Sequence, residues 1–235
     1  MNSAQAVAAV ESKYYDLIAQ AVDAICKNED TRDNTLESFE MYRNRVNLEA
    51  IKEAKLNLSS WKEAFVVVIN ELTKAGDQHA IQHIVQGIDN IKKWLDSNKG
   101  FTDETIASLC GFDADILEKM YQIGRNSFEA GHIGDAGKVF GLIVTLDPGY
   151  AVCWTALGII LHAERHYKEG LFAFSMARQI DEQNPLVYLY SARCYKQLNM
   201  KKEAEQMLQQ ALQHALGKQQ YKAVVHSIKA EQAKA

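Results

Sequence analysis

The chain has 235 residues, 47% of them apolar and 24% charged, which is the profile of a globular protein with a substantial core and excludes a disordered one. A formal net charge of −4, spread over both halves, lacks the concentrated positive charge that a phosphate backbone demands, so nucleic acid is not expected as a partner. The longest apolar run, 64–69, is far too short to cross a bilayer, and the amino terminus lacks the basic start and long apolar stretch of a secretory signal; a cytoplasmic protein with no stable membrane association is expected.

Helical periodicity predicts elements near 4–27, 35–57, 59–75 and 78–97. The first carries the stripe Val7, Val10, Tyr14, Leu17, Val22 and Ile25. The third carries Trp61, Phe65, Val68, Ile69 and Leu72, and the fourth Ile81, Ile84, Val85, Ile88, Ile91 and Leu95. Breaks are expected at Asn28-Glu29-Asp30-Thr31, at Ser59-Ser60 and at Ala75-Gly76-Asp77. Residues 1–100 are therefore read as a self-contained helical bundle, an accessory module for dimerisation or partner binding. The alternative leaves one stripe open until a partner helix or a second copy of the chain covers it.

From residue 117 onward the sequence repeats every 34 residues. Met120, Trp154 and Tyr188 share one column, Gly124, Gly158 and Ala192 the next, and Ala136, Gly170 and Ala204 a third. Phe140, Phe174 and Leu208 follow, then Ile143, Ala177 and Ala211, all without a gap. Trp154-x-x-Leu157-Gly158 matches the opening of the tetratricopeptide pattern. Three helical hairpins are expected, at 117–150, 151–184 and 185–218, within a repeat region 101–235 that also holds a leading and a capping helix. Small residues let the two helices of a hairpin approach closely, and the large column is expected to fill the wedge between successive hairpins. Gly131 supplies the left-handed residue of the first turn; Arg165 and Asn199 stand there in the next two, and Asn tolerates that conformation better than Arg. Pro148 and Pro185 fall at the hand-over from one hairpin to the next. Such hairpins stack into a short superhelix with a concave side. The fold class is all-α. The stretch 218–235 reads as one more helix, with Tyr221, Val224, Val225 and Ile228 on the face that caps the stack.

Catalytic and metal chemistry find no footing. His79 with His83, and His162 with His166, have the spacing of a chelating pair on one helix face. Ala80 and Ala163 stand where a zinc protease would place its glutamate, and no third ligand is implied. The four cysteines, Cys26, Cys110, Cys153 and Cys194, form no C-x-x-C pair and read as buried free thiols in a reducing compartment. No enzyme activity, metal or cofactor is expected.

Several segments resemble the class II chaperones of bacterial type III secretion. Phe101-Thr102-Asp103-Glu104-Thr105-Ile106-Ala107-Ser108-Leu109-Cys110-Gly111-Phe112-Asp113, followed by Ile116-Leu117-Glu118-Lys119-Met120-Tyr121, is similar to their leading helix. Asn126-Ser127-Phe128-Glu129-Ala130-Gly131 with Asp135-Ala136 and Val139-Phe140 resembles their first repeat, and Gly217-Lys218-x-x-Tyr221 the start of their last helix. The resemblance covers about 101–230. It implies a cytoplasmic bacterial protein that shields a secreted, hydrophobic translocator-type protein, or its extended N-terminal segment, in the concave groove. A second copy of the chain is a further candidate partner. Carried over by position, Tyr121, Phe128 and Ile133 line the groove in repeat one. Helix geometry adds Val152, Thr155, Ile159 and His162 from repeat two, with Leu186 and Leu189 from repeat three. Arg125 and Arg193 also face inward by register and suit an acidic or polar client segment.

Two other readings compete. A general repeat scaffold that grips a C-terminal carboxylate needs Lys and Asn at the fifth and ninth positions of repeat one, where Tyr121 and Arg125 stand; of that set only Arg193 fits. A chaperone of needle subunits, which pairs a repeat protein with a small helical one, would explain the long N-terminal extension.

Overall fold

A computed structural model describes residues 58–96 and 105–232. The helices expected near 4–27 and 35–57 lie outside the described residues. Within them all regular structure is helical: α1 Leu58–Lys74, α2 Gln78–Asp96, α3 Ile106–Cys110, α4 Ala114–Glu129, α5 Ile133–Leu146, α6 Ala151–Ala163, α7 Tyr167–Ile180, α8 Pro185–Gln197, α9 Lys201–Ala215, a single 3-10 turn at Gln219–Tyr221, and α10 Lys222–Gln232. The all-α class follows. The chain divides into two compact units between Asp147 and Pro148.

In the first unit α1 and α2 form a hairpin closed by Gly76, whose φ of 73° is left-handed. Asp77 then caps α2 by accepting the Ala80 amide at 2.9 Å. This hairpin is not self-contained. Its α1 lies against α5, and α2 lies against α3 and α4. Gly87 is the close-approach point, since a Cβ there would sit 2.2 Å from Phe112 Cε1. On the same face of α2, Asn90 donates to the Cys110 carbonyl at 3.0 Å, and His83 Nε2 lies 2.8 Å from the Gly111 oxygen. Lys119 of α4 reaches Asp77 at 2.8 Å, and Lys138 of α5 reaches Glu63 of α1 at 2.9 Å. Thus α2 clasps the elbow at which α3 gives way to α4. The leading helix is also short: Thr105 caps α3 at its start, and Gly111, with a φ of 72°, ends it.

Hairpins α4–α5, α6–α7 and α8–α9 carry the aligned columns. In the first two the large column lies directly on glycine: a Cβ at Gly124 would fall 2.8 Å from Phe140 Cε1, and one at Gly158 2.4 Å from that of Phe174. In the third, Ala192 and Leu208 share the contact within one buried cluster. The turns repeat to the bond. The amides of His132, His166 and Met200 donate to the carbonyls of Ser127, Leu161 and Tyr195 at 2.8, 2.8 and 2.9 Å. Gly131, Arg165 and Asn199 all take the left-handed conformation, with φ of 83°, 66° and 60°. Arg165 therefore pays the steric cost that its glycine counterpart avoids, and the turn geometry imposes it.

Two further bonds share the 34-residue period. Trp154 Nε1 donates to the Pro148 carbonyl at 2.9 Å, and the Tyr188 hydroxyl donates to the Glu182 carbonyl at 2.9 Å. Each ties the first helix of a hairpin to the strap that precedes it. At the chain's far end α10 closes the third hairpin, with Ile228 fully buried among Leu189, Ala192, Leu208 and Ala211. Cys110, Cys153 and Cys194 are buried free thiols; burial pushes the Cys110 thiol far up and that of Cys194 up to about 11, so neither is a reactive thiolate at neutral pH.

The α2 clasp gives a direct stability test. Gly87→Ala drives its methyl into the Phe112 ring, and the overpacking should cost about 1–3 kcal/mol in chemical denaturation. Adding Phe112→Leu should return part of that loss. An unchanged midpoint for Gly87→Ala would contradict the clasp.

Candidate functional site

The residues expected to hold a peptide lie on the first helices of the hairpins and at one helix start, and the two units are taken separately. In the first unit Tyr121, Arg125 and Phe128 follow at helical spacing along one face of α4. Phe128 is 37% exposed. Tyr121 is half-buried with its ring centroid 6.0 Å from that of Phe140, so it serves the hairpin core as much as a surface. Ile133 is half-buried at the first turn of α5. Arg125 is exposed, and its Nε pairs with Glu129 at 2.8 Å, one turn on.

In the second unit Val152 is 42% exposed on α6. Thr155 is buried, and its hydroxyl donates to the Ala151 carbonyl at 3.1 Å, which satisfies the side chain within its own helix. Ile159 is half-buried against the cluster of Phe174, Ala177, Val187 and Cys194. His162 is half-buried between two aromatic rings, with centroids 5.7 Å from Tyr167 and 5.8 Å from Tyr190. On α8, Leu186 is half-buried at the first turn.

Two of the expected residues differ from the rest in their surroundings. Leu189 is only 2% exposed: it belongs to the core that Ile228 of α10 seals, and it presents nothing to a ligand. Arg193 does face along the first helices, but its charge is already answered. Its Nε lies 2.7 Å from Glu231 Oε1, an Nη donates to Ser227 Oγ at 2.9 Å, and its guanidinium lies over the Tyr190 ring at 4.6 Å. Lys196 adds a second cation 3.7 Å from Glu231. Arg125 is paired as well, so each of the two cations already has an acidic partner within the chain. Tyr190, Ser227 and Glu231 complete this surface and were missing from the sequence reading. Tyr190 was within reach, three residues before Arg193 on a helix. Nothing in the sequence joins Glu231 to Arg193, because their meeting depends on how α10 folds back.

The chelating spacings lead elsewhere. His83 is taken up by the Gly111 carbonyl and His162 by its flanking rings. Among the described residues no group of three His, Cys, Asp or Glu is placed to hold a metal ion, and no helix is long and apolar enough to cross a membrane. The first unit also contains an open cleft of about 570 Å³ beside Leu72, Asp77, Lys119, Ile123 and His132, which no sequence motif announced. Its Asp77 and Lys119 are already paired with each other. In the first unit the exposed Phe128 offers apolar contact, and in the second the exposed Val152, the half-buried Ile159 and the stacked Tyr190 offer apolar and aromatic contact; either suits noncovalent holding of a chain segment.

Known proteins share this design. Residues 161–228 match the tetratricopeptide repeat family. Low calcium response locus protein H of Yersinia pestis is 30% identical over 101 residues, which are 43% of this chain and 60% of that protein. The chain thus spans 60% of the length of the curated relatives it matches. Among solved structures, the translocator chaperone SycD of Yersinia enterocolitica superposes with a TM-score of 0.53 at 26% identity, over 56% of this chain and 98% of that one. PcrH of Pseudomonas aeruginosa, solved with the chaperone binding region of PopD, gives 0.50 at 27% identity over 52% and 91%. The resemblance to class II type III secretion chaperones seen in the sequence holds in three dimensions.

The His162 niche has a measurable consequence. Burial first, and the nearby Arg193 charge second, hold its pKa below the ordinary 6.5, with Glu231 opposing. As pH falls below 6.5 the unfolded chain takes the proton before the folded one, so stability is lost from there down through the lowered folded value. His162→Phe keeps the ring contacts and removes the titration. Its melting temperature should therefore fall less than the parent's between about pH 7.5 and about pH 5.5. Equal falls in the two proteins would remove His162 from the pH response.

Proposed function

We propose that the chain is a cytoplasmic chaperone of a bacterial type III secretion system, which shields a hydrophobic secreted protein of translocator type until export. The observation that carries this reading is the likeness to SycD over almost the whole of that chaperone's length, joined by the likeness to PcrH bound to part of PopD. The exposed apolar side chains on the first helices, Phe128 and Val152, support it, because an apolar segment of a client can bury them. Residues 101–235 hold the client in this reading, and 1–100 are an accessory module. Its described part braces the first hairpin through α1 and α2.

Each unit offers its own holding residues: Tyr121, Phe128 and Ile133 in the first, and Val152, Ile159, His162, Leu186 and Tyr190 in the second. Arg125 in the first and Arg193 in the second are each paired with a carboxylate of the chain, so the segment taken is apolar and largely uncharged. Affinity comes from burying client side chains, and no covalent step occurs. The scaffold alternative is weaker, since the residues of a carboxylate grip are absent.

Affinity capture on the full chain from the source bacterium, grown under secretion-inducing conditions, tests the reading. A secreted protein with long apolar segments should be recovered in near-stoichiometric amount. Phe128→Glu with Val152→Glu places charge on two exposed side chains and should lower that recovery roughly tenfold or more while helicity is unchanged. Recovery of only housekeeping proteins, or of the same client undiminished by the double variant, would count against it.

A further inference from the structure

The cleft of the first unit, about 570 Å³ in volume, has the size of a ligand site and no part in the proposed holding of a client. Two rows of α4 form one wall, Glu118, Gln122, Asn126 and Ala130 at a spacing of four with Ile123 and Ser127 beside them. The end of α1 and the turn after it form the other, through Leu72, Ala75 and Asp77. The space is left because α1 packs chiefly on α5 and touches α4 far less. Helical geometry sets both rows on the side of α4 away from Tyr121, Arg125 and Phe128. From Glu118 to Ala130 the wall runs roughly 18 Å, the span of about five extended residues.

The charges in this cleft are already answered. Lys119 pairs with Asp77 at 2.8 Å, Lys74 pairs with Glu71 at 2.6 Å, and Glu118 accepts from the Gln122 carboxamide at 2.7 Å. The neutral groups are not. Among the described residues the side chains of Asn126, Ser127 and His132 have no hydrogen-bond partner, and Asn126 and His132 are exposed. Leu72 and the half-buried Ile123 add apolar surface to the lining.

We propose that the cleft binds an extended, uncharged stretch of another polypeptide, about five residues long, chiefly through its main chain. The Asn126 carboxamide offers a donor and an acceptor side by side, the complement of the N–H and C=O of a peptide backbone. An extended chain brings those groups unpaired. A helix satisfies its own and would cover Asn126 and Ser127 without giving them partners. A charged side chain gains little, because the opposite charges of the lining are engaged with each other. An apolar side chain of the segment, laid on Leu72 and Ile123, supplies the contact that excludes water. The site lies wholly within the first unit and stands apart from the client reading.

Two-dimensional NMR of the full chain, titrated with the capped pentapeptide acetyl-Ser-Ala-Leu-Ala-Ser-amide, tests this. Saturable shifts should centre on the side-chain amide of Asn126 and the backbone amides of Ile123, Ser127 and Ala130, with a Kd on the order of 0.1–1 mM. The same peptide with its backbone nitrogens methylated keeps every side chain and loses the donors, so it should bind roughly tenfold more weakly or worse. Asn126→Leu should weaken the unmethylated peptide roughly tenfold with helicity unchanged. Asn126→Asp, which keeps the shape and loses the donor, replaces that variant should it lose helicity. No saturable shift, or shifts centred on Tyr121, Arg125 and Phe128, would overturn the proposal. Equal binding of the methylated peptide, or binding indifferent to the change at Asn126, would overturn it as well.

Discussion

Everything in the repeat region depends on one steric constraint: within a hairpin, an aromatic ring must lie directly on a helix backbone. At Gly124 and Gly158 any Cβ would collide with Phe140 or Phe174. That approach brings the two helices close enough to bury the Ala136, Gly170 and Ala204 column. It also fixes which side of each first helix is left over. The surface available for a ligand is whatever the ring-on-glycine contact does not consume, which is why Phe128 and Val152 are exposed while Met120 and Cys153 are sealed. The first unit uses the same device outside the repeat frame, where Phe112 lies on Gly87.

The repeat was legible because its contacts are local and periodic. Columns such as Gly158 and Phe174 are spaced by the geometry of one hairpin, and each hairpin solves the same packing problem. The left-handed turn could be placed at Gly131 and at its counterparts, and the structure forces even Arg165 into it. The extension was legible only in part. Its helix boundaries at Leu58–Lys74 and Gln78–Asp96 follow from periodicity, yet where they pack does not. An apolar stripe says that a face is buried and never against what. Nothing in the sequence around Gly87 marks it as the place where the Phe112 ring lies.

The same limit applied to the candidate site. Register placed Leu189 and Arg193 on a common face with Ile159. It could not foresee α10, whose Ile228 seals Leu189 and whose Glu231 and Ser227 engage Arg193. One returning helix converts a leucine from surface to core and a free cation into a paired one. The face proposed to hold a client in the second unit is consequently smaller, more aromatic and less charged than the sequence suggested, with Tyr190 stacked under the Arg193 guanidinium. A face of that kind discriminates by shape and apolarity, which fits a client whose own hydrophobic segments are its hazard before export.

The central claim is that the first-helix faces hold a secreted hydrophobic protein. Site-specific photo-crosslinking in living cells of the source bacterium tests it most directly, with a photoreactive amino acid replacing the exposed Val152 in the full chain. The account predicts one dominant adduct, to a type III secreted protein, formed before export and through an apolar segment of that protein. The absence of any adduct at Val152 while the same probe at the exposed, polar Gln209 of α9 gives one would contradict it.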